Sequence, residues 1–469
     1  MATGGRDLER MLGDPKVAIR SMTLPLIVSY LVVQIDIFAN ITWCSGLGPE
    51  ASSAVSAISP LYWIVSGIGT GIGIGAATAI ARCLGRNDLE TGGRLASQTV
   101  TLSLIVGVAV TPVMLLSIGL MVDLMGVSDV EAECYDYMVP QVLASTFVIM
   151  DGTVSGIMRS EGAAKKSMVV LLMSAAITIV LDPILIYGLD MGLAGSGWAT
   201  AIGAAASALL GLWWYHSGTM ALRLSRAHMR PHWGDMRSIL FVGVPRATES
   251  VLISIMSMVQ QIFVVACGGT IAAMFYSIPW RFVSFAQVVS QAVGSAMIPV
   301  CSAALGGGDA RKARTGFRYS LTLTVVTMLS IAAVLLVFAD WVIIPFSYSE
   351  SMEPYRETFA HVLRIYALAI PFIGMIDIGS SVLQSLRMAQ VSMVSSFARN
   401  ILIIVMLFFA STVSLDAVYW SLFAAEVVGA ALMLWLAKSG YKHYTHMRYP
   451  EPKDRSRPSR RDVPVHLRG

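Results

Sequence analysis

Apolar residues along this chain neither alternate nor form narrow stripes; they run on through many helical turns, broken by short polar loops. Crossing a bilayer's hydrocarbon core takes roughly 20 mostly apolar residues in helical form. Counted against that length, the pattern predicts twelve spans: about 18–44, 52–82, 94–123, 132–160, 166–188, 193–217, 238–266, 270–303, 314–344, 355–386, 391–413 and 416–438. Lipid offers the backbone no partners, so each span must close its own hydrogen bonds as a helix. The expected fold is an all-α integral membrane protein. The first apolar segment is too long for a cleavable signal peptide and opens span 1.

The polar loops repeat. Leu84–Asp88 reads L-G-R-N-D, and Leu305–Asp309, 221 positions further on, reads L-G-G-G-D. Pro25 is answered by Pro245, Lys166-Ser167-Met168 by Val391-Ser392-Met393, and Leu193 and Trp198 by Leu415 and Trp420, at offsets of 220 to 225. Each half holds six spans, so both insert the same way, as two lobes related by a pseudo-twofold axis along the membrane normal. The expected organisation is an arm (1–17), a first lobe (18–217), a linker (218–237), a second lobe (238–438) and a basic tail (439–469). The tail's last stretch, 450–469, is rich in Pro, Arg and Ser and is expected to be disordered. In the repeated loops, Gly85 and Gly306 are expected to end helices, and Asp88 and Asp309 to cap the next ones. Duplicated halves of this size are the usual plan of secondary transporters, with substrate at the repeat interface.

Composition agrees. Hydrophobic residues make up 55% of the chain and charged residues 13%, with mean hydropathy +0.69, whereas soluble domains carry about 25% charged residues. The basic residues are sorted. Arg6, Arg10, Lys16 and Arg20 precede span 1, and Arg82, Arg86 and Arg94 flank loop 2–3. Loops 4–5, 6–7, 8–9 and 10–11 and the tail are basic too, while the opposite loops hold Arg356 alone. Lys and Arg collect on the cytoplasmic side, so a multi-pass plasma-membrane protein with both termini in the cytoplasm is expected. This sorting accounts for the net charge of +4 without a nucleic-acid partner. Cys44, Cys83, Cys134, Cys267 and Cys301 lack metal-ligand spacing and are read as free thiols. No enzyme motif is present and no cofactor is implied; the protein is expected to act as a monomer in the bilayer on small organic substrates.

Carboxylates inside spans are costly and therefore functional candidates. Asp182 and Asp36 each lie about five residues outward of the middle of their spans, or roughly 7 Å. The competing reading of Asp182 is that it satisfies backbone donors freed by a kink at Pro183. A desolvated carboxyl holds a proton near neutrality and releases it when rewetted.

Several stretches carry a family resemblance: Gly13-Asp14-Pro15-Lys16, Gly46-Leu47-Gly48-Pro49-Glu50, Arg159-Ser160-Glu161-Gly162 and, most specific, Leu181-Asp182-Pro183-Ile184-Leu185-Ile186-Tyr187-Gly188-Leu189. Together they resemble the multidrug and toxic compound extrusion (MATE) family, in the prokaryotic branch related to DNA-damage-inducible protein F. The resemblance implies an outward-directed antiporter that exchanges amphipathic, often cationic compounds for protons or sodium ions. It also implies two six-helix lobes in a V around a central cavity, and coupling aspartates in spans 1 and 5. Asp182 matches the span 5 position; in span 1 the family acid should fall at Asn40, and the carboxylate appears at Asp36, one turn earlier. Span 4 shows the same change, with Ser155 at the polar position and Asp151 one turn before it. The coupling site is therefore expected among Asp36, Asn40, Asp182, Thr178, Asp151 and Ser155; Asp36, Asn40, Thr178 and Asp182 could also supply oxygens to sodium. The paired acids favour protons. Each charge crossing 100 mV is worth about 2.3 kcal/mol, so membrane potential drives export of a monocation only if at least two protons enter.

The second lobe's intramembrane charges, Arg246, Glu249, Arg281, Asp377, Arg399 and Glu426, are expected to pair or line water. Asp377, Tyr276, Trp280, Phe282 and Arg281 are candidates for a substrate cavity. Gly67, Gly71 and Gly75 form a small-residue stripe that lets helices approach. The rival transport reading is a lipid-linked saccharide flippase of the same superfamily, which usually carries more spans and a cationic cavity for a diphosphate; Arg281 and Arg399 are the available cations. A nontransporting receptor or scaffold leaves the duplication and the buried acids unexplained.

Overall fold

A computed structural model describes residues 3–125, 127–344 and 353–448. The helices are α1 (Thr3–Leu12), α2 (Pro15–Ser45), α3 (Pro49–Gly85), α4 (Leu89–Met125), α5 (Glu131–Leu143), α6 (Ser145–Ser160), α7 (Ala164–Pro183) and α8 (Gly192–His216). They continue with α9 (Trp233–Gly306), α10 (Ala310–Ile343), α11 (Arg356–Ser385), α12 (Ala389–Ser411) and α13 (Leu415–Arg448). Among the described residues, eleven apolar stretches are long enough to cross a membrane, and α5 with α6, bent by 53°, makes a twelfth. Pro140 and the non-helical Ala144 lie at that bend. Helix α9 contains spans 7 (Trp233–Val265) and 8 (Met274–Gly306). Both of its ends meet Arg86 and Arg387 on one face, Gly306 at Arg86 and Ser238 at Arg387, so the chain returns within it. The predicted tail 450–469 and the side chain of Cys267 lie outside the described residues.

The duplication governs packing. Span 2 and its repeat, span 8, are the innermost, 78% and 83% buried, while spans 3 and 9 are 17% buried each. Spans 3 and 9 turn Val108, Leu116, Leu120, Val326, Val334 and Val337 outward, toward lipid. Glycines decide the centre. Along α3, Gly67, Gly71 and Gly75 face the second lobe, where added Cβ atoms would lie 3.0 Å from Ser250 Cβ, 2.6 Å from Gly243 O and 2.3 Å from Ile239 O. Gly69 and Gly73, on the other side of the same helix, press on Ile149 and Gly152 of α6.

The repeated L-G-x-x-D loops meet across the pseudo-twofold axis. Gly85 and Gly306 end α3 and α9, and Cβ atoms there would lie 1.9 Å from Ala303 O and 2.2 Å from Arg82 O. Arg86 Nε donates to Gly306 O at 3.3 Å. Asp88 accepts from Thr91 N at 3.0 Å and Asp309 from Lys312 N at 2.8 Å, each capping the helix that follows. We call this the basic face; the lobes are sealed together there.

The connector 217–232 is strapped to the first lobe. Fully buried Glu161 accepts Tyr215 OH at 2.8 Å on Oε1, and Ala221 N and Leu222 N at 2.8 and 3.0 Å on Oε2. Gln98 donates to His228 O and Arg230 O and accepts His232 N at 3.0 Å. These bonds answer backbone groups that a buried loop would otherwise leave without partners.

Candidate functional site

In the first lobe, Pro183 ends α7 and a single π-helical turn, Ile184–Gly188, follows inside the span. Proline has no N–H to give, and π turns of this kind recur at functional sites. The break sets Asp182, fully buried, against α2 and α8. Asn40 Nδ2 donates to Asp182 Oδ2 at 3.0 Å and to Ser196 Oγ at 2.7 Å. Its Oδ1 accepts the Tyr137 hydroxyl at 3.2 Å. Asn40 thus joins spans 1, 4, 5 and 6 in one polar node. Asp182 Oδ1 and, one turn before Asn40, Asp36 Oδ1 are buried and make no hydrogen bond. Buried polar atoms are nearly always satisfied, so two orphan carboxylate oxygens beside one node stand out as atoms that could hold a proton or a small cation. The kink reading of Asp182 does not hold, because its bonded oxygen takes a side-chain donor and no backbone N–H.

Three expected members of the site stand apart. Thr178 turns its hydroxyl to Ser174 O at 3.1 Å and packs on Gly203, so Ser196 takes the place expected for it. Asp151 accepts Ser207 Oγ at 2.5 Å, and Ser155 bonds Ser167 at 2.7 Å, forming a separate polar patch between α6, α7 and α8. The helical one-turn rule therefore relates Asp36 to the node but does not carry Asp151 there. Sequence reading missed Ser196 and Tyr137, which are uncharged and sit singly in apolar spans. The available signal was glycine: Gly195 and Gly197 flank Ser196 and bring α8 onto Leu185 and Tyr137, at 2.7 and 2.5 Å from where their Cβ atoms would be.

A second polar region fills a cavity of about 400 Å³ between the lobes. Arg159, Arg246 and Arg399 line it against Glu249, Asp377 and Glu426, a formally balanced set. Arg246 pairs with Glu249 at 3.0 Å within α9, and Arg399 reaches both oxygens of Glu426 at 2.8 Å between α12 and α13. Asp377 accepts from Ser290 at 2.5 Å and Gln287 at 3.4 Å. Arg159 donates to Tyr30 OH at 2.8 Å, which bonds Ser295 at 2.9 Å and so links the lobes.

Of the expected cavity wall, Asp377 and Trp280 line this space; Tyr276, Phe282 and Arg281 do not. Tyr276 is buried behind Trp280, stacked at 6.1 Å, with its hydroxyl on Gln260 at 2.7 Å. Arg281 lies over the Phe38 ring at 4.9 Å, a contact between lobes. Helical periodicity places these side chains on a span, and only packing decides which of them face the cavity.

The family model described as MatE matches residues 25–184 and again 245–409, once in each half. Among curated proteins, the multidrug export protein MepA of Staphylococcus haemolyticus is 25% identical over 426 residues, covering 90% of this chain and 93% of that protein. MepA of Staphylococcus saprophyticus is 24% identical over 422 residues, covering 89% and 92%. Among solved structures, a MATE protein in complex with MaL6 superposes with a TM-score of 0.90 at 24% identity, covering 95% of this chain and 100% of that one. A MOP superfamily transporter from Pyrococcus furiosus, described as having a binding pocket of reverse polarity, gives 0.89 at 24% identity, covering 95% and 99%. These superpositions establish the fold, twelve spans in two lobes. With the family pattern matched separately in both halves, this chain belongs to the MatE family: it is a membrane transporter and not an enzyme.

Proposed function

We propose that this transporter exports amphipathic, often cationic organic compounds across the plasma membrane in exchange for protons, as a monomer working by alternating access. Its basic face is cytoplasmic. The observation that carries this reading is the pair of buried, unbonded carboxylate oxygens on Asp36 and Asp182 beside Asn40. A proton on each acid removes the cost of its buried charge, and two titrating acids meet the charge requirement for potential-driven export of a monocation. Sodium fits less well, because Asn40 presents its amide N–H, a donor that cannot ligate a cation, to Asp182, while its Oδ1 is taken by the Tyr137 hydroxyl. The multidrug export role of the MepA relatives supports the substrate class. The flippase reading is disfavoured by the cavity, where three arginines face three carboxylates and leave no net positive charge for a diphosphate.

The test uses sealed vesicles loaded with a fluorescent organic cation. A proton gradient should drive its movement, Asp36→Asn and Asp182→Asn should each abolish the drive, and a sodium gradient alone should not replace it. Movement by neither gradient, or unchanged proton drive in Asp36→Asn, overturns the respective part of the proposal.

A further inference from the structure

On the basic face, away from both polar sites, a groove enters the junction of the lobes. Its inner part, about 550 Å³, is lined by Arg82, Cys83 and Arg86 of the first lobe and by Ser238, Arg387 and Tyr444 of the second. An adjoining space of about 340 Å³ shares Ser238, Phe241 and Arg387 and adds Arg237. Four guanidinium groups therefore border one continuous groove. Arg86 donates to a backbone carbonyl, Gly306 O at 3.3 Å, and Arg387 donates to Ser238 O and Oγ at 3.0 and 3.1 Å. Among the described residues neither joins an ion pair. The lining carboxylate, Asp235, is held by Arg94 at 2.9 Å, and Asp88 nearby caps Thr91. Arg387 stands in a left-handed turn, φ 62°, with its guanidinium over the Phe241 ring at 5.5 Å. Burial foremost, and also the charge of Arg86, push Arg387 below its ordinary value.

The outer wall is apolar. Phe241, Val244 and Trp233 are all exposed along α9, and an exposed Trp at a helix end suits the headgroup level of a bilayer. Guanidinium clusters recognise phosphate by paired charge-assisted hydrogen bonds. We propose that this groove is a binding site for a phosphate-bearing anion, which bridges Arg86 of the first lobe to Arg387 of the second and so holds the basic face closed. The same chemistry is offered by an acidic phospholipid headgroup entering past Phe241 and by a soluble phosphate entering from water. Because the two arginines belong to different lobes, parting the lobes divides the site. An anion that binds only the closed form must shift the population toward it.

Cys83, in the groove wall and 9% exposed, supplies a built-in reporter. Its alkylation by a maleimide is followed by peptide mass spectrometry in phosphatidylcholine nanodiscs, with phosphatidylglycerol in the bilayer or inorganic phosphate in solution. Wild type should be protected about tenfold, the value of one charge-assisted contact of about 1.4 kcal/mol. Arg86→Gln and Arg387→Gln should lose that protection, while Arg311→Gln, on the same face but outside the groove, should keep it. Arg86 is exposed, so its variant folds without the packing cost that Arg387 carries. Protection by phosphatidylglycerol alone assigns the lipid, and protection by inorganic phosphate alone assigns the soluble anion. Equal rates with and without either anion in wild type, or equal protection in Arg86→Gln, overturn the proposal. Transport coupling can fail independently, since neither variant touches Asp36 or Asp182.

Discussion

Adding one methyl group at Gly75 should bias the transporter's conformation rather than damage its fold. The Cβ of Gly75→Ala would lie 2.3 Å from Ile239 O and 3.0 Å from Gly243 N, where ordinary contact begins at 3.4 Å, so α3 and α9 must separate by about 1 Å. Overpacking of this kind costs about 1–3 kcal/mol. Because α3 and α9 belong to different lobes here, only the state with a closed basic face bears that cost. The equilibrium should then move toward the opened basic face by about 5- to 150-fold. Gly73→Ala is the matched control: its Cβ would lie 2.5 Å from Gly152 O, an equal clash inside the first lobe that burdens both states alike. The assay is the rate of Cys83 alkylation in nanodiscs without acidic lipid, together with the thermal unfolding midpoint. Gly75→Ala should react faster at nearly unchanged midpoint, and Gly73→Ala should melt earlier at an unchanged rate. A wild-type alkylation rate in Gly75→Ala, or the same acceleration in Gly73→Ala, refutes the assignment of this glycine stripe to the moving interface.

Two further predictions concern buried charge. Arg399→Ala should lower stability by about 3–5 kcal/mol, because Glu426 is left buried without its partner, and Arg399→Ala/Glu426→Ala should recover most of the loss; additive losses in this double-mutant cycle would show the pair is not coupled. Burial pushes Glu161 up to about 7 from 4.5, so its contribution to holding the connector is full below 4.5 and is lost as pH rises through about 7. Thermal unfolding midpoints across that window should fall with rising pH in wild type relative to Glu161→Gln, and parallel slopes would remove Glu161 from the account.

Much of this was legible in the sequence. Twelve apolar stretches, the doubled L-G-x-x-D loop and the sorted Lys and Arg residues are properties of segments, and lipid makes segments decisive: a stretch of that length and apolarity has the helix as its way across. Helix α9 reading through two spans and α5–α6 bending into one altered boundaries but left the count unchanged. The glycines at 67, 71 and 75 and the capping aspartates at 88 and 309 were likewise readable, because their roles rest on local geometry.

The polar site was only half legible. An acid in an apolar span announces its own cost, so Asp36 and Asp182 could be named from residue type and position alone. Which oxygen meets which donor depends on helices brought together from distant parts of the chain. Asn40 reaches Asp182 across 142 positions and Ser196 across 156. Thr178, one turn from Asp182, spends its hydroxyl donor on Ser174 O of its own helix and packs on Gly203. Arg281 looked like a cavity cation until the lobes set Phe38 beneath it. The sequence by itself determined the elements, their number and the two-lobed plan, since hydrophobic length and periodicity act within a single segment. Only the tertiary structure decided the partners, since a hydrogen bond is fixed to within a few tenths of an ångström and that precision comes from packing between segments.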